Sequence, residues 1–163
     1  MKIRKAAEQD IEWMVSLSHS KRAEYESQQK NFWKMAKNSD EVQRKFFAEE
    51  IAKKNIVALC AKDQSGFIIG KIISPPEVYD AGLTFMIDDF CVSSPNLWMS
   101  VGLKLLQEAM VRSELKGAKQ VLVVCGDHDL QKSQLLEKIN LSVASSWIRN
   151  QQKAIFRRKR NNR

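Results

Sequence analysis

The chain has 163 residues, of which 44% are hydrophobic and 28% are charged, and its formal net charge is +8. This length fits one ordinary domain, and this hydrophobic content excludes a disordered chain. Its apolar runs fall short of the ~20 residues that a membrane-spanning helix needs, so we expect no contact with a membrane.

The predicted elements of the first half are, in chain order, a strand over residues 2–6, a helix from 11 to about 27, a helix within 38–54, and an antiparallel hairpin of strands 56–61 and 67–73. Apolar residues at helical spacing, such as Ile11, Met14 and Val15, follow Asp10. We therefore expect Asp10 to be the N-cap of the first helix.

The predicted elements of the second half are a strand over 83–92, a helix over 101–116, a strand over 120–125, a helix over 130–139, and a closing hairpin of 142–149 and 153–158. Gly117 supplies the left-handed cap of the helix that ends before it. The run 120–125 is apolar without alternation, which is typical of a strand covered on both faces. This order predicts an α+β fold with a mixed, mainly antiparallel sheet of six to seven strands and about four helices.

Charge and cysteine usage complete this description. Six cations between Lys153 and Arg163, with no acid among them, leave +2 for the rest of the chain. We interpret residues 159–163 as a basic tail on a single domain of residues 1–158. The three cysteines form no CxxC pair and the start of the chain lacks a signal-like apolar core, so a reduced, cytoplasmic protein is expected. With only two histidines, we expect no metal site.

Four segments, together with the order of elements, carry a resemblance to a known family. They are the start at 3–11, the strand and loop at 87–95, the loop at 97–102 and the segment 135–141. From Ile3 to about Lys159 the chain resembles the GNAT superfamily of N-acetyltransferases. The resemblance implies direct transfer of an acetyl group from acetyl-coenzyme A to an amine of a small molecule or peptide, and a homodimer is possible.

The resemblance places the coenzyme at the entry to the helix over 101–116. Free N–H groups and the positive dipole end at a helix start suit a pyrophosphate. The implied coenzyme-binding residues are Phe90, Cys91, Val92, Leu97, Trp98, Met99, Ser100, Val101, Gly102 and Asp129. This loop is degenerate, because Leu97 replaces the usual Arg or Gln and Ser100 replaces a usual Gly. A slot filled by Trp98 or Leu97 would exclude the coenzyme.

The resemblance also implies a carboxylate that helps to deprotonate the acceptor amine. Asp88 and Asp89 are the candidates, and they should point to opposite faces because they are consecutive in a strand. Asp88 is slightly preferred; the alternative is an ion pair and a solvated carboxylate. Leu136 stands where the family usually has a tyrosine that protonates the leaving thiolate.

The acceptor wall that the resemblance implies contains Tyr25, Phe32 and Trp33. Packing of these rings against the sheet is an equally good interpretation. Two other functions stay open. One is a binding or regulatory protein on the same fold that performs no transfer. The other is an RNA-associated module acting through residues 157–163, although nucleic acid is not the expected partner because the tail has no aromatic residue beyond Phe156.

Overall fold

The computed structural model of the chain describes residues 1–146, and within them the predicted order of elements is confirmed. The strands are β1 (Ile3–Lys5), β2 (Ile56–Ala61), β3 (Gly66–Ile73), β4 (Thr84–Val92) and β5 (Gln120–Val123). The helices are α1 (Ile11–Gln28), α2 (Ser39–Glu50), α3 (Leu103–Glu114) and α4 (Leu130–Lys138).

The five strands form one sheet in the order β1-β2-β3-β4-β5. Neighbouring strands are antiparallel except β4 and β5, which are parallel and joined through α3. The prediction of six to seven strands is not matched by the described residues, since 142–146 contain no strand. The rest of the predicted closing hairpin and the tail at 159–163 lie outside the described residues.

The two faces of the sheet carry separate apolar cores. Helices α1 and α2 cover a face to which Phe67 and Cys91 contribute, whereas α3 and α4 cover the face that contains Ile68 and Phe90. Side chains alternate between these faces because the repeat of a strand is two residues. The sheet is thus the middle layer of three.

A β-bulge interrupts this alternation in β4. Ile69 of β3 pairs with Asp89, but the next residue, Gly70, pairs with Ile87, which leaves Asp88 as an extra residue without a partner in β3. A Cβ at Gly70 would lie 2.5 Å from the carbonyl oxygen of Met86, so the close approach of the two strands requires glycine there. The bulge changes which residues of β4 face each helix pair.

Asp10 ties β1 to the start of α1. It stands at the predicted N-cap position of α1, but its side chain makes no capping hydrogen bond to that helix. Its carboxylate accepts hydrogen bonds from Arg4 at 2.6 and 2.7 Å, from the Ala7 N–H at 2.8 Å and from Trp13 Nε1 at 3.1 Å. The Arg4 bond is the main cause that lowers the pKa of Asp10 to about 2. The bond to Ala7 lies before α1, in the turn that leads into it.

The prediction for β5 is corrected and that for Gly117 is confirmed. Leu122 and Val124 are 44% and 51% exposed, so β5 is not buried on both faces as its composition indicates. The physical reason is that only one face of this strand is covered: Val121 and Val123 pack against the α3 and α4 core, whereas Leu122 lies on the other face. Gly117 has φ +92° just after α3, the left-handed conformation that the cap requires.

Within residues 1–146 no helix is long and apolar enough to cross a membrane.

Candidate functional site

The segment that enters α3 consists of tight helical turns. A 3-10 turn at Pro95–Leu97 is followed by a π-helical turn at Trp98–Gly102, which continues into α3. The Leu97 N–H donates to the Ser94 carbonyl oxygen at 3.0 Å, and the Trp98 N–H donates to the Pro95 carbonyl oxygen. These two N–H groups are therefore already hydrogen-bonded within the chain and are not free to bind a pyrophosphate.

Trp98 lies in the groove that the resemblance assigns to the coenzyme. Its side chain is 1% exposed, and its ring meets Phe90 edge to face at 4.8 Å between centroids. A Cβ at Gly102 would lie 2.7 Å from Trp98 Cε3. The small residue at 102, expected to admit coenzyme oxygens, here makes room for the indole.

Lys132 of α4 closes the groove next to Trp98. It is 5% exposed, and its Nζ donates to the carbonyl oxygen of Val124, the residue after β5, at 2.8 Å. The same Nζ lies 5.6 Å from the Phe90 ring centroid and 5.5 Å from that of Trp98. Burial lowers the pKa of Lys132. The ammonium group is held by one carbonyl and two aromatic faces.

A second lysine joins α1 to the start of α4. Lys21 Nζ lies 2.8 Å from Asp129 Oδ2 and 3.1 Å from Glu24 Oε2, and 5.7 Å from the Trp98 ring centroid. The side chain of Asp129 is 3% exposed and makes no capping bond to α4. Asp129, which the resemblance assigns to the coenzyme, forms an ion pair with the partly buried Lys21.

These contacts decide whether acetyl-coenzyme A fits. Strands β4 and β5 pair only as far as Ile87 and Val123, and beyond that point Lys132 bridges Val124 to the rings of Phe90 and Trp98. The space between the diverging strands is therefore filled by the chain itself. For acetyl-coenzyme A to enter this space, Trp98 and Lys132 would have to leave these positions.

The remaining loop residues offer little to an anion. The Ser100 hydroxyl donates to the Leu97 carbonyl oxygen at 3.4 Å, Met99 is 41% exposed, and Leu97 packs against the core. Val101 is 4% exposed. None of these four side chains carries a charge that could replace the missing arginine.

Asp88 and Asp89 lie on the same side of the sheet, and the prediction of opposite faces is wrong because of the bulge. Asp89 Oδ2 accepts hydrogen bonds from Ser18 Oγ of α1 at 2.8 Å and from Gln43 Nε2 of α2 at 3.1 Å. Asp88 Oδ1 lies 3.5 Å from Lys71 Nζ. Because side chains alternate along β3, Lys71 is on the same face as Ile69, which is the face that α1 and α2 cover. Burial raises the pKa of both carboxylates.

The other strand residues predicted to bind the coenzyme are structural in the described contacts. Cys91 is buried on the α1 and α2 face, its thiol lies 3.4 Å from Asp89 Oδ1, and burial raises its pKa. Phe90 and Val92 contribute to the opposite core. Leu136, at the position of the family's tyrosine, is also part of that core.

The three predicted acceptor residues come together in one row of rings. Phe32 meets Trp33 at 4.6 Å and Trp33 meets Tyr25 at 5.5 Å, and the row continues from Tyr25 to His128 at 4.7 Å. The Tyr25 hydroxyl accepts a hydrogen bond from the Gly126 N–H at 2.9 Å. Tyr25 therefore anchors α1 to the loop that follows β5.

The residues that close the groove were missed from the sequence. Lys21 and Lys132 are single lysines on amphipathic helices, where a solvated position is the ordinary expectation. Asp129, which pairs with Lys21, was noted only as a coenzyme residue. A signal was available in the bulky Trp98, which stands within the presumed coenzyme loop.

Solved structures, several of them described as acetyltransferases, share this fold. A mutant protein from Bacillus halodurans has a TM-score of 0.80 at 11% identity, covering 93% of this chain and 99% of its own. A 6'-N-acetyltransferase for aminoglycoside antibiotics from Acinetobacter haemolyticus has a TM-score of 0.68 at 11% identity, with 93% and 97% covered. A protein from Clostridium acetobutylicum described as a predicted acetyltransferase, solved with acetyl-coenzyme A, has a TM-score of 0.69 at 14% identity, with 92% and 95% covered.

These neighbours define the class of the chain at the level of architecture. No protein-family model and no curated protein matches the sequence. The neighbours cover nearly the whole chain, so the resemblance to the GNAT superfamily is confirmed in the fold. At such low identities the likeness carries the fold and not the reaction.

Proposed function

We propose that this chain is a GNAT-fold protein that acts by binding a partner and does not transfer acetyl groups. The burial of Trp98 at 1% exposure, in the groove between the ends of β4 and β5, carries this proposal. Lys132 and the Lys21–Asp129 ion pair support it, because both fix the walls around the indole.

The free energy of opening the groove argues in the same direction. A coenzyme entering it must expose a large buried indole, at about 3 kcal/mol for its apolar surface alone. It must also break the bond between Lys132 and the Val124 carbonyl oxygen. The arginine or glutamine that would compensate through the pyrophosphate is absent, since Leu97 occupies that position.

The experiment is to rebuild the family's loop and compare it with the natural one. A triple variant, Leu97→Arg with Trp98→Gly and Ser100→Gly, opens the slot and supplies a donor. We expect acetyl-coenzyme A to raise the melting temperature of the variant and to leave that of the wild type unchanged. Met99→Ala is the matched control, since this exposed neighbour of Trp98 does not fill the groove. A coenzyme-dependent shift in the wild type would contradict the proposal.

A second candidate is an N-acetyltransferase acting on a small-molecule or peptide amine, with Asp88 or Asp89 as the base. The specific observation in its favour is that the bulge sets both carboxylates on one face with raised pKa values. Release of coenzyme A from acetyl-coenzyme A with a panel of amines separates the candidates. Turnover by the wild type that is lost in Asp88→Asn, but not in Glu77→Gln on an exposed loop, would favour this enzyme.

A further inference from the structure

The segment between α1 and α2, residues 29–38, combines positive charge with aromatic rings. It contains Lys30, Lys34 and Lys37 and no acidic residue, and all three lysines are exposed. Among the described residues no ion pair engages any of the three. The cations on the adjoining helices differ, because Arg22 pairs with Asp40 and Arg44 pairs with Glu12.

The rings of this segment are held in place by the backbone and by each other. The N–H groups of Phe32 and Trp33 both donate to the Gln29 carbonyl oxygen at 2.9 Å. Phe32 meets Trp33 at an interplanar angle of 84°, and Trp33 is braced by Tyr25 of α1. An ordered aromatic platform therefore stands among three unpaired lysines.

The charge of the segment argues against the acceptor that the family resemblance implies. An aliphatic amine is protonated near neutral pH and would be repelled by three lysines that lack an acidic neighbour in the segment. Phosphates are attracted by the same charges, and nucleobases stack on aromatic faces. Lipid headgroups and acidic peptides would also use the lysines, but neither offers a planar base that stacks on a ring.

We propose that residues 29–38 form a binding surface for single-stranded nucleic acid, with the lysines contacting phosphates and Trp33 stacking on a base. This surface is distinct from the basic C-terminal tail, and it does not depend on the state of the groove. Nucleic acid was not the partner expected from the sequence, because the basic tail lacks aromatic residues. In residues 29–38, aromatic residues lie between the lysines.

The test is fluorescence anisotropy of a labelled 20-nucleotide oligouridine RNA with the full chain at several salt concentrations. For three phosphate contacts the logarithm of affinity should fall with the logarithm of salt with a slope of about −2. The triple variant Lys30→Gln, Lys34→Gln, Lys37→Gln should flatten this slope and weaken binding about tenfold or more. Its matched control is Lys45→Gln, Lys53→Gln, Lys54→Gln, which removes the same charge from exposed positions and should change binding much less.

The stacking contribution is tested at Trp33. Trp33→Leu should weaken binding by about tenfold, whereas Trp33→Phe should retain most of it, because a ring remains. Circular dichroism checks that each variant is folded. Equal affinity of the lysine triple variant and its control would overturn the proposal. Binding that is lost only when residues 153–163 are removed, or binding only to phosphatidylserine vesicles or polyglutamate, would also overturn it.

Discussion

The two faces of β4 beyond the bulge are both filled, but by different chemistry. On the α1 and α2 face, Asp89 is held by neutral donors from Ser18 and Gln43. On the α3 and α4 face, Phe90 meets Trp98. A single extra residue at Asp88 produces this division, because it shifts the alternation and sends both carboxylates to the helix pair that precedes β2.

This difference teaches that one strand can carry carboxylates on one face while the chain's own side chains fill the other face. The polar face retains carboxylates at the family's expected place, so local sequence resembles an active centre. On the apolar face, side chains of the helix entry and of α4 pack into the space between the strand ends. Retained carboxylates therefore say little about activity unless the opposite face is open.

Among the substitutions on the two faces, Trp98→Ala should cause the largest loss of unfolding free energy. Removing a fully buried indole from a packed core costs about 3–5 kcal/mol of unfolding free energy. Urea denaturation followed by circular dichroism measures it, and Met99→Ala, at an exposed neighbour, should change stability by no more than about 0.5 kcal/mol. Equal, small losses in both variants would show that the indole does not fill the groove.

Lys132→Met should remove a pH dependence from the apolar face. Burial lowers the folded pKa of Lys132 below its unfolded value near 10.5. The unfolded chain then binds more protons in that interval, so wild-type stability should rise with pH up to about 10.5. The stability of wild type minus that of Lys132→Met should therefore increase from pH 7 to pH 10. Parallel curves in urea titrations would contradict the lowered pKa of Lys132.

On the polar face, Asp89→Asn should remove a pH dependence of stability whose sign is opposite to that of Lys132. The folded pKa of Asp89 is raised by burial, so its protonated form contributes stability at low pH that is lost as pH rises above about 3.8. The variant cannot ionise, so wild type minus variant should fall as the pH rises from 3.8 toward 7. Ser18→Ala is the matched control: it keeps the carboxylate, should cost about 1 kcal/mol, and should retain the fall. The same pH profile in Asp89→Asn as in wild type would rule out this role.

Sequence reasoning recovered most of the fold, because the elements depend on local patterns. The apolar spacing from Val101 onward predicted α3, and the turn cluster before Gly66 predicted the hairpin of β2 and β3. The prediction that β5 is buried on both faces failed, because an apolar run has the same composition whether or not a further layer covers the strand. Burial of that kind depends on the whole sheet and not on the strand.

The candidate site was predicted less well, for reasons that are also physical. The bulge depends on the register between β3 and β4, which consecutive aspartates do not reveal. The ion pair of Lys21 with Asp129 joins residues far apart in the chain, and neither helix pattern predicts it. Sequence analysis did single out Trp98, because this side chain in the presumed coenzyme loop could lie either against a ligand or within the protein.

Isothermal titration of acetyl-coenzyme A into the wild-type chain tests the closed groove most directly. With the indole of Trp98 packed on Phe90 and beside Lys132, we predict no heat of binding beyond dilution at coenzyme concentrations up to the millimolar range. A saturable heat with one site per chain and micromolar affinity would contradict the account, because the groove would then open readily for the coenzyme.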